Sequence, residues 1–386
     1  MVLNDLRRNF IPERLREGRE ARGLTIQELS ERVGVSHQSI SKYENGKAVP
    51  SGMVFQKLLF TLNLPIHFFY KPIHRGIEDS VVFFRSKAAT TSRSKKLHEI
   101  KINWLQDISV ELEKILDFPK VLIPKINTSP IYFPTDMDDI DELAVEVRRS
   151  WGLGNGPISN VLLLVEKKGV IAARADFNDQ KVDACSVWRD DQRPFILLGT
   201  EKSSVRSRFD VAHELGHLVL HSNLKRNEFE KNMKLIESEA DRFASAFLMP
   251  VESFSSEFVS TSLEYLINLK KRWKVSIQAM AYRARDLDII SEFQYRNIMR
   301  KIGQNNWRKH EPLDEQFELE QPTVLKQAIK ALIKHNVINK SDIERYLGLT
   351  KGELEIYANL ETGTLSDKIV SDQNIIRFRH RKKMGM

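Results

Sequence analysis

Two histidines four residues apart, with a glutamate directly after the first, stand at His213, Glu214 and His217 in the segment RFDVAHELGHLVLH. On a helix, residues four apart project from one face, so the two imidazoles can grip a single metal ion. Glu214 then falls beside that ion, where a general base takes the proton from a water that zinc has acidified toward neutrality. Val211, Ala212, Leu215, Leu218, Val219 and Leu220 frame the motif with apolar side chains, as a buried active-site helix requires. The chemistry this spacing predicts is zinc-dependent hydrolysis of a peptide bond.

A tetrahedral catalytic zinc takes a third protein ligand and keeps one position open. His221 continues the spacing, but three histidines at successive steps of four drift about 40° per step around a helix. It is therefore expected beside the ligands rather than on the ion. A carboxylate on the following helix, IESEADRFASAFLMP, is the better source, with Glu237, Glu239 and Asp241 available. Glu239 shares a face with Phe243, while Ala240, Ala244 and Phe247 supply the small and large positions that let two helices approach closely. The helix-face argument favours Glu239 and leaves Glu237 and Asp241 as alternatives. For the group that would stabilise a tetrahedral oxyanion, Arg206, Arg208, His221 and Tyr282 are candidates and none is preferred.

A second constellation lies near the N-terminus, in LTIQELSERVGVSHQSISKYENGKAVPS. Thr25 is placed to cap a helix whose Ile26, Leu29 and Val33 face inward, Gly34 to make the tight turn, and Ser36 to cap the next helix. Ile40 and Tyr43 are spaced for burial in that second helix, which leaves His37, Gln38, Ser39, Ser41 and Lys42 outward. Glutamine pairs bidentately with adenine and lysine reaches guanine or phosphate, so these side chains suit a DNA major groove.

Both segments resemble known families. HELGHLVLH, followed some twenty residues later by ESEADRFASAFLMP, is similar to the ImmA/IrrE family of bacterial metallopeptidases, which pairs HExxH on one helix with Glu-Ala-x-x-Phe-Ala and Leu-Met-Pro on the next. The likeness covers roughly residues 138–301. It implies a Zn2+ ion held by His213, His217 and Glu239, with Glu214 as the catalytic base. It also implies a protein substrate, a helix-turn-helix repressor whose cleavage relieves repression. The stretch Asp183 to Ser186 with the strand FILLG resembles the family's approach to the active-site helix, a sheet edge onto which substrate can add as a strand. The N-terminal segment resembles the Xre, or phage-repressor-like, family over about residues 10–72. That likeness makes His37, Gln38 and Lys42 the base readers on double-stranded DNA, with Asn45, Lys47 and Arg22 near backbone phosphates. The chain departs from that family in carrying Ile26, followed by Gln27, where the family often has a phosphate-touching glutamine.

The elements that must position these groups follow from pattern and punctuation. At 386 residues the chain exceeds one small domain and divides into two or three. The expected fold is mainly α with an α+β domain: an all-α helix-turn-helix domain over 1–72, a helical linker over 73–137, a zincin-like metallopeptidase domain with a small β-sheet over 138–310, and a helical C-terminal module with a basic tail over 311–386. In the linker, Ile100, Ile102, Leu105, Ile108, Leu112 and Ile115 mark a helix. GVIAARA, ACSVWR and RPFILLG read as strands. The C-terminal segment SDIERYLGLTKGELEIY has a helix, turn, helix rhythm around Gly348. Glu353 and Glu355 sit where phosphate contacts would be, so it is expected to pack or oligomerise rather than bind DNA.

Composition bounds the setting. A net charge of +8 favours a polyanionic partner. No apolar run approaches a bilayer span and no signal peptide is visible, so no membrane partner is expected. A lone cysteine, Cys185, excludes an intrachain disulfide and suits a reducing cytoplasm. Two-fold operators make a homodimer the natural assembly. A different class of function fits the same motifs: a transcription regulator, or a toxin-antitoxin or phage-defence component, whose zinc is structural or sensory. The intact Glu214 favours the enzyme, because a structural site needs no base.

Overall fold

The computed structural model describes residues 10–73, 81–86, 92–126, 129–176, 182–189, 193–200 and 202–366. The basic tail Arg377–Lys383 lies outside the described residues. The chain is mainly helical, with an all-α N-terminal domain and a central domain that carries a sheet.

Helices α1 (Pro12–Ala21), α2 (Ile26–Val33), α3 (His37–Glu44) and α4 (Gly52–Leu62) form the N-terminal domain. Local chemistry sets their ends. Thr25 and Glu28 close a reciprocal capping box on α2, Gly34 turns the chain at φ 75°, and Ser36 caps α3. Leu29, Val33, Ile40, Leu58 and Leu62 are buried between these helices. A buried Arg19–Glu44 pair at 2.6 Å ties α1 to the end of α3.

The long helix α5 (Ser92–Glu113) follows, then α6 (Met137–Ser150) and α7 (Val161–Lys167). Strands β1 (Phe83–Ser86), β2 (Ile171–Arg174), β3 (Val182–Arg189) and β4 (Arg193–Leu198) make one sheet in the order β1-β3-β4-β2. β3 runs antiparallel to both its neighbours, and β4 lies parallel to β2. Side chains alternate across a strand, and the burial follows that period of two. Ile171, Ala173, Cys185, Val187, Phe195 and Leu197 enter one core, whereas Ala172, Ala184, Trp188, Ile196 and Leu198 enter the other.

The second core holds the helices that carry the chemistry, α8 (Ser204–Leu220) and α9 (Arg226–Leu248). They are backed by α10 (Val251–Glu257), α11 (Leu263–Trp273), α12 (Ile277–Asp286) and α13 (Glu292–Gln304). The first core is shared by the N-terminal domain, α5 and the C-terminal helices α14 (Val324–Lys334), α15 (Ile343–Leu347) and α16 (Lys351–Tyr357). Trp104 of α5, 3% exposed, donates its indole N–H to the buried Glu17 of α1 at 2.9 Å and meets the Phe68 ring edge-on at 5.6 Å. Tyr346 and Tyr357 of the C-terminal helices donate to the Glu111 and Lys101 carbonyls of α5. Glu166 accepts the backbone N–H groups of Thr323 and Val324 at the start of α14.

Residues 73–137, read from the sequence as a helical linker, contain α5 and also β1. Neither is a free connector. The first packs its apolar face into the shared core and the second is an edge strand of the sheet.

Candidate metal centre

α8 and α9 approach closely where Gly216 of α8 faces Ala240 and the Cβ of Phe243 on α9. A Cβ on Gly216 would stand 3.2 Å from the Cα and carbonyl oxygen of Ala240 and 3.2 Å from Cβ of Phe243. A side chain there would require its neighbours to give by a few tenths of an ångström, and two of the three are backbone atoms that cannot rotate away. The close contact brings α9 acids within reach of the α8 histidines.

His213, Glu214 and His217 are all buried, at 1%, 0% and 0% exposure. The Nε2 atoms of His213 and His217 converge to 3.0 Å. Glu237 faces both, with Oε2 3.4 Å from Nε2 of His213 and Oε1 3.5 Å from Nε2 of His217. Tetrahedral zinc with bonds of about 2.0–2.1 Å separates its donors by about 3.3–3.4 Å. The two carboxylate–imidazole distances are near that spacing and the two imidazole nitrogens stand closer, at 3.0 Å, and the set combines the hard and borderline atoms zinc takes.

The outward nitrogens are equally committed. His213 Nδ1 lies 2.8 Å from Oδ1 of Asp241. His217 Nδ1 lies 3.1 Å from Nδ1 of His221, whose Nε2 lies 2.8 Å from Oε2 of Glu239. One proton order satisfies every pair: His213 donates to Asp241, His217 donates to His221, and His221 donates to Glu239. That order leaves both converging Nε2 atoms as lone pairs, the form a metal ligand needs. Burial pushes His217 down to about 4, against the opposing pull of Glu237, so it is neutral near pH 7. Burial lowers His221 as well. Glu239 is opposed by burial, but hydrogen bonds from His221, the Thr135 amide and the Tyr132 hydroxyl hold its carboxyl below the usual range. Burial likewise opposes Glu237, and its contacts with His213 and His217 more than offset this and keep it an anion.

The expectation that Glu239 is the third ligand is therefore corrected: the structure brings Glu237, not Glu239, to His213 and His217. The reason is helical phase. At about 100° per residue, Glu237 and Asp241 fall on one flank of the stripe centred on Ala240, and Glu239 falls on the other. There its carboxylate is engaged by His221, by Tyr132 at 2.7 Å and by the Thr135 N–H at 2.9 Å. Asp241, held as an alternative ligand, instead orients His213.

Glu214 receives the Ser186 hydroxyl of β3 on Oε2 at 2.5 Å, which fixes one carboxylate oxygen. Ser186 points to this helix because its neighbour Cys185 points to the opposite core.

Residues 165–285, which include His213, Glu214, His217 and Glu237, match the family model described as the IrrE N-terminal-like domain. Residues 15–69 match a model described as helix-turn-helix. The chain joins an Xre-like helix-turn-helix to an IrrE/ImmA-like peptidase domain. No curated protein matches it.

In the helix-turn-helix domain, His37, Gln38, Lys42, Asn45 and Lys47 are exposed on or just after α3, and Ser39 and Ser41 are half-buried. Ser39 shares a hydroxyl contact with Ser36 at 2.9 Å, and Asn45 accepts from Arg16 at 2.9 Å. Arg22 does not join this surface. It donates to the carbonyls of Leu62 and Asn63, pairs with Glu353 of α16 at 2.7 Å and lies over the Trp104 ring. In the peptidase domain, Arg208 is spent on Glu320 and on the carbonyls of Ile158, Ser159 and Lys274. Arg206 binds the Arg308 carbonyl, and Tyr282 packs with Arg285 and Tyr295 at the surface. Of the oxyanion candidates only His221 touches the metal-ligand set. Sequence reasoning missed Ser186 as partner of the base, and Tyr132 and Thr135 as partners of Glu239. It also ranked Glu237 and Asp241 low, although their spacing of four matches that of His213 and His217.

Among the described residues no helix is long and apolar enough to cross a membrane.

Proposed function

We propose that the protein is a DNA-binding transcription regulator that hydrolyses a peptide bond in a repressor, or in itself, with zinc held by His213, His217 and Glu237. The observation that carries this reading is the convergence of those three donors beside Glu214, with each histidine's far nitrogen already committed. Zinc, when bound, supplies Lewis acidity that brings water toward neutral pKa and polarises a peptide carbonyl. Glu214 accepts the proton released as water attacks and passes it to the leaving amine. Ser186 holds one oxygen of that carboxylate, so the other is aimed without losing rotational freedom at each turnover. Asp241 fixes the ring of His213, and His221 with Glu239 fixes that of His217.

The exposed His37, Gln38 and Lys42 of α3 support sequence-specific contact with double-stranded DNA. Placement on DNA raises the local concentration of the peptidase beside a DNA-bound repressor, so the active site needs little affinity of its own. The resemblance to repressor-cleaving families supports the same substrate class.

The test is elemental analysis together with mass spectrometry of repressors encoded beside the gene, incubated with the zinc-loaded protein and with Glu214→Gln. One zinc per chain and a cut that disappears in the variant are expected. Stoichiometric zinc with no cut from any repressor would overturn the enzymatic reading, and a cut that survives in Glu214→Gln would remove Glu214 from it.

A further inference from the structure

The substrate edge of the peptidase domain is already taken. β1 pairs antiparallel with β3 in the register Phe83 with Ser186, Phe84 with Cys185 and Arg85 with Ala184, and the register slips before Ser86. Ser186 is the residue that holds the base Glu214, so Phe83 lies directly across the strand from the catalytic machinery. Its ring stacks on the metal-facing His217 at 4.8 Å and 7°, and meets Phe229 edge-on at 5.3 Å. Val81, Tyr132, Leu224, Phe229 and Ile236 complete an apolar seat around Phe83, which is 1% exposed. That ring covers His217 from the β1 side, where His213, Glu214 and His217 are all buried, while the Glu237 side stays partly open at 26% exposure.

We propose that the β3 edge beside α8 is a seat for an extended peptide bearing a bulky aromatic side chain, and that the chain's own segment Val81–Ser86 occupies it as an internal competitor. This rests on the peptidase reading and names its substrate class and its regulation. An edge strand offers unpaired N–H and C=O groups on which any extended backbone can pair, while a side-chain pocket supplies selectivity. β1 comes from the segment between the DNA-binding helices and the peptidase domain and makes only a four-residue strand with an irregular end. An incoming peptide must displace a tethered rival whose effective concentration is on the order of millimolar. Substrate therefore enters when β1 leaves, and a repressor segment with a phenylalanine in the matching register is the class that competes best.

The probe is a fluorescein-labelled synthetic peptide spanning residues 79–88, titrated by anisotropy into the full-length, zinc-loaded chain. The Glu214→Gln background prevents cutting, so binding is read in place of turnover. Phe83→Ala in that background is expected to bind the peptide at least tenfold more tightly than its parent, and a peptide with alanine at the Phe83 position is expected to bind at least tenfold more weakly. Phe84→Cys, whose partner in the register is the lone Cys185, provides a latch. Its oxidised form should exclude the peptide and its reduced form should admit it, which keeps the test independent of whether Phe83→Ala folds. A folded Phe83→Ala protein that binds no more tightly than its parent, or an oxidised latch that binds as well as the reduced one, would overturn the proposal. A chain that binds peptide as described yet never cuts would overturn the proposed activity and leave the seat standing. A chain that cuts equally well with the latch oxidised and reduced would do the reverse.

Discussion

Glu237→Gln and Glu239→Gln separate the proposed metal ligand from the group proposed to orient one. Glu237 faces both converging Nε2 atoms, so its amide variant removes a charged donor from the ion. Zinc in small four-ligand sites is held by about 10–16 kcal/mol, so one ligand carries on the order of 3–4 kcal/mol, a loss of roughly a hundred- to a thousandfold in affinity. Glu239 acts through His221. In Glu239→Gln the amide oxygen still accepts from His221 or from Tyr132, and groups that orient ligands cost about 10–100-fold when changed. Competition against a chelator of known zinc affinity, with both proteins at pH 7.5, reads the two constants directly. Glu237→Gln is expected to bind zinc at least about tenfold more weakly than Glu239→Gln. The opposite order, with Glu239→Gln losing the metal and Glu237→Gln keeping it, would refute the assignment and restore the carboxylate favoured by the motif alone.

Gly216→Ala should lower the melting temperature and weaken zinc by about tenfold, because overpacking costs about 1–3 kcal/mol and exceeds the gain of about 1 kcal/mol in helix propensity. A melt that rises with unchanged zinc affinity would mean the helices part freely there. Gln38→Ala is expected to cost about 1–3 kcal/mol on the cognate operator and little on random duplex, whereas Lys42→Ala should flatten the salt dependence by about one unit. Equal losses on both DNAs for Gln38→Ala, in gel shifts at fixed salt, would remove it from base reading. Burial drives the Cys185 thiol well above its usual range, with the charges of Glu214 and Glu99 adding to the effect. Thiol-reagent labelling of the folded protein should thus run roughly a thousandfold or more slower than of the unfolded chain, and rapid native labelling would show that the sheet opens.

What the sequence disclosed tracks the range over which each signal acts. The caps Thr25 and Ser36, the turn at Gly34 and the pair His213 and His217 are set by neighbours within four residues, and the rules for them are local. The alternation through β3 and β4 was visible in the same way, and it places Ser186 toward α8. The choice between Glu237 and Glu239 depends on which flank of α9 lies over the histidines, a property of how two helices pack and not of either one's spacing. β1 escaped notice because Phe83–Ser86 is short, lacks alternation and finds its partner far downstream. Arg22 looked like a phosphate contact from its charge and position, but its carboxylate partner, Glu353, is supplied from near the other end of the chain.

The shared core has a practical corollary for anyone dissecting the protein. A cut after residue 72, which the motifs invite, would strip Glu17, Phe68 and Arg14 from Trp104 and Asp107 of α5 and leave a broad greasy surface on the remaining fragment. The liberated helix-turn-helix would in turn lose the carboxylate that neutralises Arg22. Fragments made this way should precipitate or bind DNA indiscriminately, and their behaviour would report on the scission rather than on either half of the native molecule.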